Sequence, residues 1–169
     1  MLIRPTLERD IQWLPDIERS AAQAFASWPA LAWLAHGDVL DFDAHRAFVA
    51  AGGSWVAEHA AGHSVGFACA RLEGQVMHLH EISVCQKAQG QGVGGRLLQR
   101  VIDEARQAGV GELTLTTFVD VPWNAPFYAR FGFAVIDEGL LGVRLREILA
   151  NERAQGLEGR CAMHLCFNR

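Results

Sequence analysis

No stretch of this chain approaches the ~20 consecutive apolar residues that a membrane-spanning helix requires, so a membrane partner is not expected. The opening, Met1-Leu2-Ile3-Arg4-Pro5, has neither the apolar core nor the small-residue cleavage site of a secretory signal. Cysteine is scarce and unpatterned. Cys69, Cys85, Cys161 and Cys166 show no C-x-x-C spacing and read as reduced thiols of a cytoplasmic protein. Positive charge is not in excess either: the net charge of −4 argues against nucleic acid as a partner and mildly favours a cationic substrate. Internal repeats, linkers and low-complexity tracts are missing, and 169 residues suit one compact domain with a real core, so 1–169 reads as a single domain.

What the chain does have is concentrated between Val76 and Ala108. A run rich in β-formers, Val76 to Val84, leads into a glycine-rich turn, Gln89-Gly90-Gln91-Gly92-Val93-Gly94-Gly95. Beyond it, Leu97, Leu98, Val101, Ile102, Ala105 and Ala108 recur at the spacing of one helix face. The order is strand, glycine loop, helix N-terminus. Glycines admit positive φ and close approach of a ligand. The first helical turn leaves N–H groups without intrahelical partners at the positive end of the dipole. Together they make an anion site, most naturally for a pyrophosphate.

The rest of the chain sorts around this unit. Leu2 to Pro5 reads as a first strand, and Leu14, Ile17, Ala21, Ala24 and Phe25 mark a helix starting near Pro15. Ala26 to Leu40 is aromatic and irregular. Asp41 or Asp43 can cap a second helix with the face Phe42, His45, Phe48 and Val49, stopped at Gly52-Gly53. Ser54–Glu58, Val65–Leu72 and Val76–Val84 follow as strands with short, hairpin-like connections. After the loop helix, Glu112–Phe118 should lie parallel to the preceding strand, because a helical crossover joins them. Asn124–Phe131 is expected as a short helix, Phe133–Ile136 as a strand, Leu141–Gln155 as a helix with Leu145, Ile148 and Leu149 on one face, and Cys161–Phe167 as a last strand. The fold class is α/β, with a mixed, mostly antiparallel sheet of six or seven strands flanked by helices.

Three phosphate-loop patterns compete at the glycines. A Walker loop needs Lys-Ser/Thr after its last glycine, but Gly95 is followed by Arg96-Leu97. The dinucleotide pattern is present as Gly90, Gly92 and Gly95, yet it expects an opening βαβ unit and an acidic residue ending the next strand, where this chain has Thr114, Thr116 and Thr117. The third, Q/R-x-x-G-x-G/A, matches Gln89-Gly90-Gln91-Gly92-Val93-Gly94, and Asn124-Ala125-Pro126-Phe127-Tyr128-Ala129-Arg130-Phe131-Gly132-Phe133 follows at the right distance. On these two motifs the chain resembles the GNAT superfamily of acyl-CoA-dependent N-acyltransferases. His78-Leu79-His80 ahead of the loop sharpens this to a resemblance to the serotonin (arylalkylamine) N-acetyltransferase branch, except that Glu81 stands where that branch has a small apolar residue.

The resemblance implies acetyl-CoA as co-substrate and no metal. Gln89, Gly90, Gln91, Gly92, Val93, Gly94 and Gly95 would grip the coenzyme pyrophosphate. Ile82, Ser83 and Val84 would carry the pantetheine arm as a pseudo-strand between parallel strands that splay apart, and Asn124, Phe127 and Tyr128 would close the coenzyme site. A metal site at His59-x-x-x-His63 is rejected, since the pair spans a turn and has no third ligand near it.

Acetyl transfer to an amine needs a base, an oxyanion donor and an acid for the leaving thiolate. A free alkylamine with a pKa of about 10.4 is neutral in only roughly one molecule in 2,500 at pH 7, so the base matters. His80, then His78, then Glu81 are the candidates, with imidazole suited by its titration near neutrality. His78 and His80 share a face if the strand is regular, and Glu81 then points away unless a bulge re-aims it. Tyr128 is the candidate general acid. For the acceptor, Phe25, Trp28, Trp33 and Trp123 could form an aromatic wall or a cation–π seat. The expected reaction is transfer to a primary amine of a small molecule, with aryl- and alkylamines as the candidates, by direct attack in a ternary complex. Competing readings are an acyl-CoA sensor, a protein or peptide N-acetyltransferase and, least favoured, an NAD-dependent oxidoreductase. Oligomeric state stays open, a homodimer through the last strands being common among the proteins it resembles.

Overall fold

The computed structural model describes residues 1–167. Seven strands form a mixed sheet in the order β1-β2-β3-β4-β5-β7-β6: β1 (Leu2–Pro5), β2 (Ser54–Glu58), β3 (Ser64–Glu73), β4 (Val76–Val84), β5 (Glu112–Phe118), β6 (Ala134–Val135) and β7 (Arg160–Cys166). The helices are α1 (Leu14–Ala22), α2 (Phe42–Ala50), α3 (Val93–Gln107), α4 (Ala125–Ala129) and α5 (Val143–Ala154). The chain forms two compact units, and the boundary falls inside β4. One comprises Met1–Leu72 and Leu79–Glu104; the other comprises Glu73–His78 and the chain from Ala105 onward.

In the first unit β1, β2 and β3 pair antiparallel, with Leu2 opposite Glu58 and Ser54 opposite Cys69. Their inner face and the apolar stripe of α1 and α2 close a core of Leu14, Ile17, Phe48, Val56, Phe67 and Cys69. Asp41 caps α2, its Oδ1 accepting the Ala44 amide at 2.8 Å, while Asp43 sits in the first turn and pairs with Arg46. The expected α2 face is narrower than its sequence suggests. His45 and Phe48 are buried, but Phe42, at the first helical position, is 49 % exposed. Residues 26–40, expected to be irregular, form 3-10 turns at Gln23–Ser27 and Pro29–His36, and another such turn, Glu8–Trp13, precedes α1. Short apolar segments with proline at their start can hold one tight turn without the periodicity that reveals a longer helix.

In the second unit β4 and β5 are the parallel pair, with Val76 opposite Glu112 and His78 opposite Thr114. Their ladder ends there, although both strands run on. β5 pairs along its whole length with β7, Glu112 opposite Cys166 through Phe118 opposite Arg160. β6 is only Ala134–Val135, shorter than its apolar run implies; Ile136 adds one further bond, its amide donating to the Ala162 carbonyl at 2.9 Å. The 141–155 segment is helical as α5, but Leu145, Ile148 and Leu149 are half-buried rather than core. Its C-terminal turn is tied down by Glu152, which accepts from the Thr116 hydroxyl at 2.5 Å and from Arg160 Nε at 2.7 Å.

Candidate active site

The glycine loop is built as the sequence implies. Gly90 and Gly92 have φ of 74° and 77°, and a Cβ at either would meet nothing within 4 Å, so the loop leaves open space beside its backbone. An L-residue is disfavoured at both by conformation, not by crowding. α3 begins immediately after, at Val93, with the Arg96 amide bonded to the Gly92 carbonyl at 3.1 Å. Leu97, Leu98, Val101 and Ala105 are 0 % exposed, which anchors the helix whose first-turn amides face the loop. Close packing also fixes β4 from this side: a Cβ on Gly66 would lie 3.0 Å from the Ser83 carbonyl oxygen and 3.2 Å from Leu97 Cδ1. Gln89 folds back, its Nε2 donating to the Val84 carbonyl at 3.0 Å, and Gln91 Nε2 donates to the Lys87 carbonyl.

β4 presents three different environments in four residues. His78 is 4 % exposed and its Nδ1 lies 2.8 Å from the Thr114 hydroxyl. His80 is exposed, its ring tilted against Phe48 at 5.1 Å. Glu81 accepts a hydrogen bond from the Ser83 hydroxyl at 2.9 Å. The Glu81 backbone also hydrogen-bonds the Cys69 thiol. Phe48 and Cys69 belong to one core cluster; the His80 ring meets Phe48, and the Glu81 backbone meets the Cys69 thiol.

α1 brings in a residue that the sequence reading missed. Glu18 is half-buried and accepts the Leu40 amide at 3.0 Å. Burial, and then the charge of Glu81, push its carboxyl up to about 8 from the usual 4.5. The same two carboxylates act on Cys69, whose thiol is raised first by burial and then by them. A carboxyl on a helix three residues after proline gives no sequence signal; only its place beside a strand residue 63 positions later does, and no pattern in the sequence reports that.

In the second unit Tyr128, the chain's one tyrosine, is 9 % exposed, with edge-on rings of Phe127 at 5.2 Å and Phe133 at 5.9 Å. Asn124 precedes α4 but does not cap it with its side chain; instead its Oδ1 accepts the Thr117 hydroxyl at 2.8 Å, tying the loop to β5. α4 ends at Ala129, two residues earlier than expected. A cavity of about 680 Å³ opens between the β5–β7 sheet face and α5; His78, Thr114 and His164 line it with Val143, Arg144 and Leu145. Arg144 reaches Glu73 at 3.1 and 3.2 Å at its edge. The four aromatic residues expected around the acceptor line neither this cavity nor the smaller one beside Trp13 and Cys85. Phe25 and Trp28 are half-buried near the 3-10 turns, and Trp33 and Trp123 are 49 % and 40 % exposed.

Possible metal donors do not lie where the sequence was searched. His59 and His63 stack face to face at 5.4 Å. Glu112, His164 and Cys166 bring donor atoms within 4.8 Å of one another, with His164 Nδ1 3.0 Å from Glu112 Oε2.

Residues 15–133 match the acetyltransferase (GNAT) family. The chain belongs to this family. Family membership makes it an N-acetyltransferase, and solved structures of the same fold span its whole length. One, Rv2747 from Mycobacterium tuberculosis in complex with CoA and a second ligand, has a TM-score of 0.74 at 18 % identity, covering 99 % of this chain and 100 % of its own. The PaiA N-acetyltransferase of Thermoplasma acidophilum, also with coenzyme A, gives 0.71 at 14 %, covering 98 % of each. A ribosomal-protein-alanine N-acetyltransferase from Brucella melitensis gives 0.68 at 22 %, covering 99 % of this chain and 100 % of its own. Coenzyme A is therefore bound in structures of this fold, and the Brucella enzyme is named for a protein acceptor. Among the described residues no helix is long and apolar enough to cross a membrane.

Proposed function

We propose that this GNAT enzyme transfers an acetyl group from acetyl-CoA to a primary amine by direct attack, as one catalytic domain in the cytoplasm. The observation that carries the reading is the open glycine loop feeding α3 within the family match: Gly90 and Gly92 hold positive φ with nothing within 4 Å of a would-be Cβ, which is the shape a pyrophosphate needs. The pantetheine arm runs along Ile82, Ser83 and Val84, beyond the point where the β4–β5 ladder ends. Asn124 and Phe127 are the further coenzyme residues that the family motif implies.

In the reaction a β4 base takes one proton from the acceptor ammonium. The freed nitrogen lone pair forms the C–N bond at the acetyl carbonyl, the C–S bond breaks, the Tyr128 hydroxyl gives its proton to the departing thiolate sulfur, and the second proton shed by the new amide nitrogen returns through solvent to the Tyr128 oxygen. Backbone N–H groups of β4 stabilise the oxyanion. Of the three bases Glu81 is preferred because its charge acts on the raised Glu18 carboxyl of α1, while His78 Nδ1 lies 2.8 Å from the Thr114 hydroxyl and the His80 ring is tilted against Phe48.

The acceptor is a small primary amine. An aryl amine of the serotonin type draws no support from the named relatives, and Phe25, Trp28, Trp33 and Trp123 line neither of the two cavities described. A second reading, a peptide or protein N-terminus, is favoured by the likeness to the Brucella enzyme. Free-thiol release from acetyl-CoA across a panel of small amines and short peptides tests both. Turnover only with peptides would replace the first reading by the second, and coenzyme binding without turnover of any amine would leave a sensor.

A further inference from the structure

Glu112, His164 and Cys166 take no part in the transfer reaction as described, yet a carboxylate, an imidazole and a thiol meet where β5 begins and β7 ends. We propose that these three side chains form a zinc-binding site that ties β5 to β7, with an open fourth position at the edge of the second unit's cavity. The site does not depend on the transfer reading above.

The backbone brings the three donors together. In the antiparallel β5–β7 ladder Glu112 opposes Cys166 and Thr114 opposes His164. Directly opposed residues share a face, and so do residues two apart on one strand. Glu112, His164 and Cys166 therefore project from the same face of the sheet, and Cys161, an odd number of residues away, projects from the other.

The distances suit a tetrahedral centre. His164 Nδ1 lies 3.0 Å from Glu112 Oε2 and 3.6 Å from Cys166 Sγ, and donor atoms of all three lie within 4.8 Å of one another. Zinc bonds of about 2.0 Å to nitrogen and oxygen and about 2.3 Å to sulfur give a tetrahedron with N···O and N···S edges of about 3.3 and about 3.5 Å. A hydrogen bond between His164 and Glu112 accounts for the first distance alone. The same ring nitrogen also has a sulfur beside it, and with a single proton or lone pair to offer it serves only one of the two neighbours well.

The chemistry of the set selects the ion. Carboxylate, imidazole and thiolate together suit zinc, whereas magnesium and calcium take oxygen ligands. Ionised Glu112 and Cys166 with neutral His164 balance the two charges of the ion. Binding uses the His164 tautomer protonated at Nε2, and it releases one proton from the Cys166 thiol. Glu112 and His164 are about a third exposed and Cys166 is exposed, so an ion reaches all three from solvent. Glu112 and His164 also line the cavity of about 680 Å³. Three protein ligands leave one zinc position for water or for a donor atom of a small molecule in that cavity.

The test uses the full chain without an affinity tag, so that no added histidines hold metal. Zinc is titrated by calorimetry into wild type, Glu112→Gln, His164→Gln, Cys166→Ser and, as a control, Cys161→Ser. Wild type and the control should bind one ion. Each of the three ligand variants should weaken binding at least about 100-fold, since loss of a group that merely supports a ligand already costs about 10–100-fold. No binding to wild type, or binding that any one of the three variants leaves unchanged, overturns the site. Cobalt gives an independent reading on wild type, which decides even where a variant fails to fold by circular dichroism. Its complex should show thiolate-to-cobalt charge transfer in the near ultraviolet, kept in Cys161→Ser and lost in Cys166→Ser. Absence of that absorption from wild type, or its survival in Cys166→Ser, overturns the assignment.

Discussion

The first unit buries two sets of carboxyl groups and treats them in opposite ways. Around β1, Arg4 lies between Asp10 and Glu58, its Nη1 2.7 Å from Asp10 Oδ2 and its Nε 2.7 Å from Glu58 Oε2. Burial works against the Asp10 charge, yet the Arg4 hydrogen bonds and the Leu7 amide hold that carboxyl below its usual range. Around α1, Glu18 has an amide in place of a guanidinium, and burial with a neighbouring negative charge drives it the other way, to about 8. Burial is common to both. What differs is the sign of the nearest charge, and that decides which way each carboxyl moves.

The comparison can be broken at several points. Glu81→Gln should cost most in activity, about 10²–10⁴-fold in kcat/KM by thiol release, with coenzyme binding retained; a loss under tenfold would return the base to His80 or His78. Arg4→Met strands Asp10 and Glu58 without their cation and should cost about 3–5 kcal/mol in urea unfolding at pH 7, because the remaining partners stay partly buried. That loss should shrink as acid protonates Asp10, whose carboxyl Arg4 holds below its usual range. Tyr128→Phe should lower kcat by one to two orders of magnitude without weakening acetyl-CoA binding by calorimetry, and an unchanged kcat at all pH values would remove the acid role.

Smaller effects sharpen the contrast. Because the folded-state pKa of Glu18 is raised from 4.5 to about 8, the folded protein holds a proton that the unfolded chain releases across that window. Stability therefore declines as pH climbs from about 4.5 to about 8 and levels off above it. Glu18→Gln should raise Tm at pH 8.5 by a few degrees and leave it nearly unchanged at pH 4, the opposite of the Arg4 result. Asp41→Ala removes the α2 cap and should cost about 1 kcal/mol at neutral pH.

Much of this was legible along the chain because the signals are local. Seven strands and the parallel β4–β5 pair follow from alternation, short hairpins and one helical crossover. The glycine loop can be read because positive φ at Gly90 and Gly92 is a demand on the residue itself. The Asn124–Phe133 run marks the family, but what Asn124 does escaped it, since a cap and a tie to Thr117 look the same in sequence. Ranking His80 above Glu81 came from imidazole's intrinsic pKa, a property of the free side chain.

The sequence by itself determined the order of elements, the glycine loop and the family, all of which depend on neighbours within one turn, one strand or one motif. Tertiary structure alone decided that Glu18 on α1 is half-buried and feels the charge of Glu81, 63 residues later in the chain. The reason is physical. Backbone preference and hydrophobic period act through adjacent residues, whereas a carboxyl's proton affinity is set by whatever burial and charge the fold assembles around it, and neither is written at the residue's own position.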